Sequence, residues 1–154
     1  GFQRGTEHTV FEAGNFRFGA VICFEDTVPH LYRRFVARNV DFMVNLTNDA
    51  WFRESPAAQM HLANAVFRAV ETRRPLVRST NNGVSCVVDE CGVIRAELES
   101  FTEAALTHEL PIPHPTGPTF YVRHGDLFVA VCALLSAARL AVTLSPAQWR
   151  LSRA

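Results

Sequence analysis

Gly19–Asp26 reads GAVICFED, and this stretch decides how the rest of the sequence is interpreted. It begins as an apolar run typical of a buried β-strand, and this run is followed by Cys23 and then by two acidic residues, Glu25 and Asp26. Carboxylates raise the pKa of a thiol, so a purely structural cysteine gains nothing from them. A nucleophilic cysteine in acyl transfer can use a carboxylate as base or orienter if a nearby cation supports the thiolate. The stretch also fits a buried cysteine at a strand end, followed by solvated acids.

Cys23 and Glu25 are the two residues of this stretch that could carry chemistry. If the strand continued through them, its period of two would place both side chains on one side of the sheet. The pattern therefore predicts Cys23 as a candidate nucleophile with Glu25 as the acid beside it.

Strand and helix patterns alternate outward from this stretch. Strands are predicted over residues 9–11, 16–23 and 41–46, and helices over 29–39 and 55–73. The second helix has a strong start, because Ser55 can cap it and Pro56 fits its first position. Its apolar stripe consists of Leu62, Ala65, Val66, Ala69 and Val70.

The second half of the sequence predicts four short strands, over residues 76–79, 84–89, 93–98 and 104–109. Turn residues separate them at Asn82-Gly83 and Glu90–Gly92. Residues 110–124 are rich in proline and predicted to be irregular. This order of elements suits an α/β or α+β fold.

Residues 127–144 form an almost entirely apolar run of 18 residues, interrupted by Arg139. That length is at the lower edge of a membrane span, and a buried C-terminal helix would also explain it.

Composition narrows the possible functions. The chain has 154 residues, enough for one domain, and its zero formal net charge gives no sign of a nucleic-acid partner. The four cysteines fit no zinc spacing, so no metal or other cofactor is predicted. Cys86 and Cys91 could be linked across a hairpin, but nothing requires it. The chain begins without Met or a signal peptide, and we expect it to be a fragment.

Three stretches carry a resemblance to a known family. They are VICFED at 21–26, VNLTNDAWF at 44–52 and FRAVETRRPLVRSTNNG at 67–83. From about Phe2 to Leu144 the chain resembles the C-terminal part of the bacterial apolipoprotein N-acyltransferases, membrane members of the nitrilase (carbon–nitrogen hydrolase) superfamily. One departure is visible, because that family commonly has Tyr after the nucleophile and this chain has Phe24.

The resemblance implies an αββα sandwich, present here in part and followed by a transmembrane helix. Residues 1–124 would then be the C-terminal part of the catalytic domain, 125–144 the membrane helix and 145–154 a short cytoplasmic tail. The protein would lie in the bacterial inner membrane as a monomer, with its catalytic domain in the periplasm.

The resemblance also implies a reaction. Cys23 would take an acyl chain from a phospholipid as a thioester and pass it to the α-amine of a lipidated N-terminal cysteine on an apolipoprotein. Glu25 matches the acid of the family motif, and the Phe24 N–H is a plausible oxyanion donor. Phe24, Asn48 and Trp51 would contact substrate.

The superfamily uses a Glu-Lys-Cys triad, but all 15 of the Lys and Arg residues in this chain are arginine. The Glu and Lys are expected upstream, and this chain alone is expected to be inactive. Two alternatives remain: an amidase that passes the acyl group to water, and a degenerate domain retained for binding.

Three further sets of residues could belong either to a site or to the structural framework. Asp49 fits a turn residue as well as a site residue. His61 is predicted to be a packed, hydrogen-bonded helix residue. A structural ion-pair cluster is predicted for Glu71 with Arg73, Arg74 and Arg78.

Overall fold

The computed structural model describes residue 3, residues 5–112 and residues 117–144. These residues belong to two compact units, Gly1–Arg123 and His124–Ala154, which are described separately.

The first unit is built on a six-stranded sheet in which the strands lie in chain order. The strands are β1 (Val10–Ala13), β2 (Phe16–Ile22), β3 (Phe42–Thr47), β4 (Leu76–Thr80), β5 (Cys86–Val88) and β6 (Ile94–Glu97). β2, β3 and β4 are parallel, while β1, β5 and β6 pair antiparallel with their neighbours. The three parallel strands therefore end at the same edge of the sheet.

Two helices, α1 (Pro29–Val36) and α2 (Ala57–Thr72), pack against one face of this sheet. Strand residues at alternate positions point into the contact, and Val21, Met43 and Leu76 are fully buried there. Gly19 belongs to the same face, where a Cβ would overlap the ring of Phe35. The apolar stripe predicted for α2 accounts for its buried positions Leu62, Ala65 and Ala69.

The opposite face of the sheet is also apolar. The rings of Phe11, Phe18 and Phe42 stack across three neighbouring strands, with centroids 5.2 and 5.3 Å apart. At the end of this face Ile22 and Leu46 are 67% and 48% exposed. The described residues thus provide one sheet and one helical layer, which is half of the predicted αββα sandwich.

Several predicted boundaries are wrong. β2 ends at Ile22 instead of Cys23, and α1 ends at Val36 instead of Asn39. Residues 104–109 are not a strand, because the chain leaves the sheet after β6 in a turn at Phe101 (φ 62°). Two alanines and one glutamate, which are poor strand formers, make up half of that segment. Part of the segment predicted to be irregular is instead a short helix, α3 (Phe120–His124).

The second unit contains the helix α4 (Leu127–Thr143), 17 residues long and exposed at every position. Among the described residues, no helix reaches the combination of length and hydropathy that crossing a membrane requires. The tail predicted over 145–154 lies outside the described residues.

Cys86 and Cys91 do not form a disulfide. Cys86 is a buried thiol on β5 and Cys91 is an exposed thiol in the following turn. Burial raises the pKa of Cys86 to about 11, so this thiol stays protonated and does not act as a nucleophile at neutral pH.

The β5–β6 turn is held by the carboxylate of Asp89. Its Oδ1 accepts the backbone N–H groups of Cys91 and Val93, both at 2.9 Å, and its Oδ2 accepts Arg95 Nε at 2.7 Å. Burial acts to raise the pKa of Asp89, but these hydrogen bonds together outweigh it and hold the pKa below its usual value.

Asp89→Asn should therefore destabilise the protein in a pH-dependent way. The folded pKa lies below the unfolded value of about 3.9, so the ionised carboxylate stabilises the fold above that pH. This stabilisation disappears as the pH falls through the folded pKa. Thermal unfolding of wild type and variant between pH 2.5 and 6 should show a stability difference that shrinks toward the acid end. A constant difference across this range would contradict the assignment.

Candidate active site

Cys23 begins a single turn of 3-10 helix, Cys23–Thr27, at the end of β2; we call it the cysteine turn. Its φ of 52° lies in the left-handed region, which is unusual for a residue with a side chain. Such a conformation costs on the order of 1–3 kcal/mol and persists only where the surroundings hold it. It reverses the chain at the strand end and leaves the Cys23 side chain half-buried at the edge of the sheet.

Glu25 does not share a strand face with Cys23, because the strand ends before either residue. The Glu25 carboxylate is exposed and folds back, so that Ile22 N–H donates to Glu25 Oε2 at 2.7 Å. A second hydrogen bond, from Thr27 Oγ1 to the Phe24 carbonyl at 2.7 Å, closes the turn on its exposed side. The structure thus places both sequence-predicted residues in one turn, with Glu25 bound to the backbone.

A group of buried charged side chains lies beneath the cysteine turn. It comprises Asp26, Asp49, His61 and Arg78, all at most 2% exposed, and we call it the buried charge cluster. Arg78 Nη1 donates to Asp26 Oδ2 at 2.7 Å and its Nη2 donates to Asp49 Oδ2 at 3.0 Å. His61 bridges the other carboxylate oxygens, with Nε2 2.9 Å from Asp26 Oδ1 and Nδ1 3.0 Å from Asp49 Oδ1.

The cluster draws its members from separate elements. Asp26 comes from the cysteine turn, Asp49 from the loop after β3, His61 from α2 and Arg78 from β4. Gly83 lies against Asp49 so closely that a Cβ at this position would overlap the carboxylate. The position of Asp49 therefore depends on the absence of a side chain at Gly83.

The buried charge cluster contains two carboxylates and one guanidinium. Its net charge is therefore negative unless the cluster takes up a proton. Burial raises the pKa of Asp26, although His61 and Arg78 act to lower it. Arg78 Nη2 also lies 3.0 Å from His61 Nδ1. In the tautomer with the proton on Nε2, this nitrogen donates to Asp26 and Nδ1 accepts from Arg78.

Asn48 and Trp51 lie in the loop after β3, as predicted. Asn48 is exposed, and its Oδ1 accepts Asn81 Nδ2 at 2.8 Å and Ala50 N–H at 3.1 Å. In the structure, Asn48 links the loop after β3 to the loop after β4, which contains Asn81. Trp51 is 82% exposed in a short 3-10 helix, Ala50–Phe52, and is available for contact with a ligand.

Aromatic rings cover the cluster at the surface. Phe24, which is 55% exposed, stacks on His61 with centroids 4.8 Å apart, and Phe52 meets the same imidazole edge-on at 5.8 Å. Beside them an open pocket of about 620 Å³ is lined by Phe52, Phe101 and residues 50 and 53–55. A second cavity of about 770 Å³ includes Ile22, Glu25 and Leu46 in its lining. The cysteine turn therefore has an apolar surface on its solvent side and the buried charge cluster on its interior side.

Sequence reasoning missed the cluster. His61 is packed and hydrogen-bonded as predicted, but its carboxylate partners were not identified. Arg78 does not pair with Glu71; that carboxylate instead accepts Arg68 Nη2 at 2.8 Å. Asp26, Asp49 and Arg78 are up to 52 positions apart in the sequence, so no local spacing could have linked them. Within the described ranges, no group of three or more His, Cys, Asp or Glu side chains could hold a metal ion.

Comparisons with known proteins agree with the fold. The family described as Carbon-nitrogen hydrolase matches residues 2–114, and the chain belongs to this family. Its fold resembles a glutamine-dependent NAD+ synthetase from Acinetobacter baumannii (TM-score 0.61, 24% identity, 67% of this chain and 21% of that one). It also resembles Nit3 of Saccharomyces cerevisiae, a nitrilase-superfamily member (TM-score 0.57, 22% identity, 66% and 40%).

Curated relatives give a narrower comparison. A protein named apolipoprotein N-acyltransferase from Geobacter metallireducens is 40% identical over 131 residues, covering 85% of this chain. One of the same name from Thermotoga maritima is 36% identical over 136 residues, covering 88% of this chain. The matched segments are 25% and 27% of those relatives, so the chain spans about a quarter of their length.

Arg78→Met should be strongly destabilising, because it leaves two buried carboxylates without their cation. Removing one partner of a buried ion pair costs about 3–5 kcal/mol. Arg95→Met is the matched control, since Arg95 also binds an aspartate but is 54% exposed, and such pairs contribute about 0–1 kcal/mol. Chemical denaturation of both variants measures the difference. Equal losses would contradict the importance given to the cluster.

Proposed function

We propose that the chain provides the nucleophile of an N-acyltransferase acting on bacterial lipoproteins. The observation that carries the proposal is the half-buried Cys23, held in a strained turn at the ends of the parallel strands. This turn lies within a segment that is 40% identical to a protein named apolipoprotein N-acyltransferase.

The reaction has two steps. The Cys23 thiolate attacks an ester carbonyl of a phospholipid, forming a C–S bond, and the C–O bond breaks as the lysophospholipid oxygen leaves with a proton. The α-amine of a diacylglyceryl-modified apolipoprotein then attacks the thioester. A C–N bond forms, the C–S bond breaks, the amine loses a proton and the thiolate is regenerated. The Phe24 N–H follows the nucleophile directly and would stabilise the oxyanion in both steps.

Proton transfer in these steps needs groups beyond Cys23 and Glu25. Arg78 cannot serve as the supporting cation, because its charge is already bound to Asp26 and Asp49. The Glu and Lys of the superfamily triad would complete the site from elsewhere in the whole protein. The isolated chain should therefore show no turnover.

The acyl chains would bind against the aromatic surface around the turn. Phe24 and Trp51 are largely exposed beside an open pocket lined by Phe52 and Phe101. Because a contiguous exposed apolar surface is unusual in a protein, it marks a place where an apolar ligand can bind. Asn48 would orient a polar group at its edge. This surface favours a lipid substrate over the small amide of the amidase alternative, which would use the same cysteine with water as acceptor.

Residues 127–144 would insert in the inner membrane, with the catalytic unit in the periplasm. The exposed apolar side chains of α4 support this placement. Its 17 residues extend roughly 26 Å, slightly less than a hydrocarbon core of about 30 Å, so flanking residues would have to complete the span. Arg150 and Arg153 follow the segment and favour a cytoplasmic C-terminus.

Cys23→Ala should abolish formation of the acyl-enzyme. The complete protein, in membranes with a phospholipid carrying a labelled acyl chain, should acquire a hydroxylamine-sensitive label that the variant lacks. Cys91→Ala is the matched control and should retain the label, because Cys91 is an exposed thiol in the β5–β6 turn.

Label on Cys23→Ala would contradict the nucleophile assignment. An unlabelled wild type that hydrolyses a small amide would favour the amidase instead.

A reporter fused after Ala154 should be active only in the cytoplasmic compartment, because the arginines after the apolar segment resist translocation. In the 154-residue chain expressed alone, deleting the residues after Gly125 should release the catalytic unit from the membrane fraction. A periplasmic signal from the fusion would reverse the proposed orientation, and a wild type found only in the soluble fraction would contradict membrane insertion.

A further inference from the structure

Three connections tie the buried charge cluster to the cysteine turn. Asp26 belongs to both. Asn45, fully buried on β3, accepts a hydrogen bond from Arg78 Nη1 and donates from Nδ2 to the Cys23 carbonyl at 3.2 Å. His61 supports the ring of Phe24 from below in a stacked contact at 4.8 Å. The residue that carries the thiol and the residue after it are thus both held from the protein interior.

The turn needs such support because its backbone is strained. Cys23 is in the left-handed region, and the local hydrogen bonds of Glu25 and Thr27 lie on the exposed side, where water competes with them. The cluster itself is a poor source of net stability, since desolvating two carboxylates and a guanidinium offsets most of their attraction. The cluster is better explained by the conformation that its contacts impose on the cysteine turn.

We propose that Asn45 and His61 are positioning residues for Cys23. Asn45 fixes the Cys23 carbonyl, and His61 fixes Phe24, so that the thiol and the Phe24 N–H keep a constant orientation toward the bound ester. The inference rests on the proposed function, and it assigns the cluster to the acylation step. Neither residue touches substrate, so the loss of either should slow acylation. Loss of Asn45 should leave substrate binding unchanged, because Asn45 contacts the Cys23 carbonyl and not the aromatic surface.

Asn45→Leu and His61→Gln test this in the complete protein. Asn45→Leu keeps the number and branching of the side-chain heavy atoms and removes the hydrogen bonds to Cys23 and Arg78. His61→Gln keeps a donor and removes the ring beneath Phe24. The rate of acyl-enzyme formation should fall about tenfold or more in both variants. KM for the phospholipid should stay within about twofold in Asn45→Leu, and it is compared for that variant alone, because His61 supports Phe24 in the proposed acyl surface. Asp89→Asn is the matched control, because it breaks a buried carboxylate network in the β5–β6 turn, away from the site. It should lower stability without lowering the acylation rate.

Amide hydrogen exchange gives a second measurement that needs no substrate. Exchange across Phe24–Val28 should be at least about tenfold faster in Asn45→Leu and His61→Gln, and unchanged there in Asp89→Asn. If a variant does not fold, Phe24→Leu replaces it, since Phe24 is 55% exposed and its change removes the stack from the solvent side. Faster exchange across Phe24–Val28 is the expected result for Phe24→Leu, and its acylation rate is not compared, because Phe24 also belongs to the surface proposed to bind the acyl chain.

The outcomes separate the two proposals. A wild type that forms no acyl-enzyme defeats the proposed function, and the exchange measurement then decides whether the cluster orders the turn. Folded variants with wild-type acylation and exchange rates would overturn the inference. So would a rise in KM without a fall in rate, or an equal loss of acylation in Asp89→Asn.

Discussion

The two ion pairs of Arg78, with Asp26 and with Asp49, are the interactions on which the rest of the site depends. One guanidinium on β4 holds the turn after β2 and the loop after β3 at 2.7 and 3.0 Å. His61 closes the arrangement from the helical layer. Since every charged member is buried, removing one leaves an unpaired charge in a low-dielectric interior. The ends of three strands and one helix are therefore fixed relative to each other by charge pairing as well as by apolar packing.

This arrangement separates two environments within a short distance. Below the cysteine turn the groups are polar, buried and hydrogen-bonded to one another. Above it are Phe24, Phe52 and Trp51, of which Trp51 is 82% exposed. In the proposed function, the half-buried thiol at this boundary would meet an apolar acyl chain on one side while its backbone carbonyl is hydrogen-bonded by Asn45 on the other. The strain at Cys23 is maintained because the surrounding contacts oppose its relaxation.

The sequence predicted the elements whose signal is local. The apolar run before Cys23 forms β2, and the stripe of α2 supplies the buried residues Leu62, Ala65 and Ala69, although Val70 is exposed. Predictions were wrong where a boundary depends on a neighbour. β2 stops before Cys23 because Asp26 is drawn into the interior by Arg78 and His61. Residues 104–109 stay outside the sheet, whose last strand is β6.

What the sequence by itself determined is the alternating order of strands and helices, the family and a candidate nucleophile at the end of β2, because these depend on periodicity and on short motifs. Only the tertiary structure decided that Asp26, Asp49, His61 and Arg78 meet, that Glu25 binds the backbone of Ile22, and that Cys23 has a left-handed backbone. These depend on parallel strands ending at one edge of the sheet. That geometry brings together residues with no sequence spacing in common, and burial then selects the charge pairs that can be satisfied there.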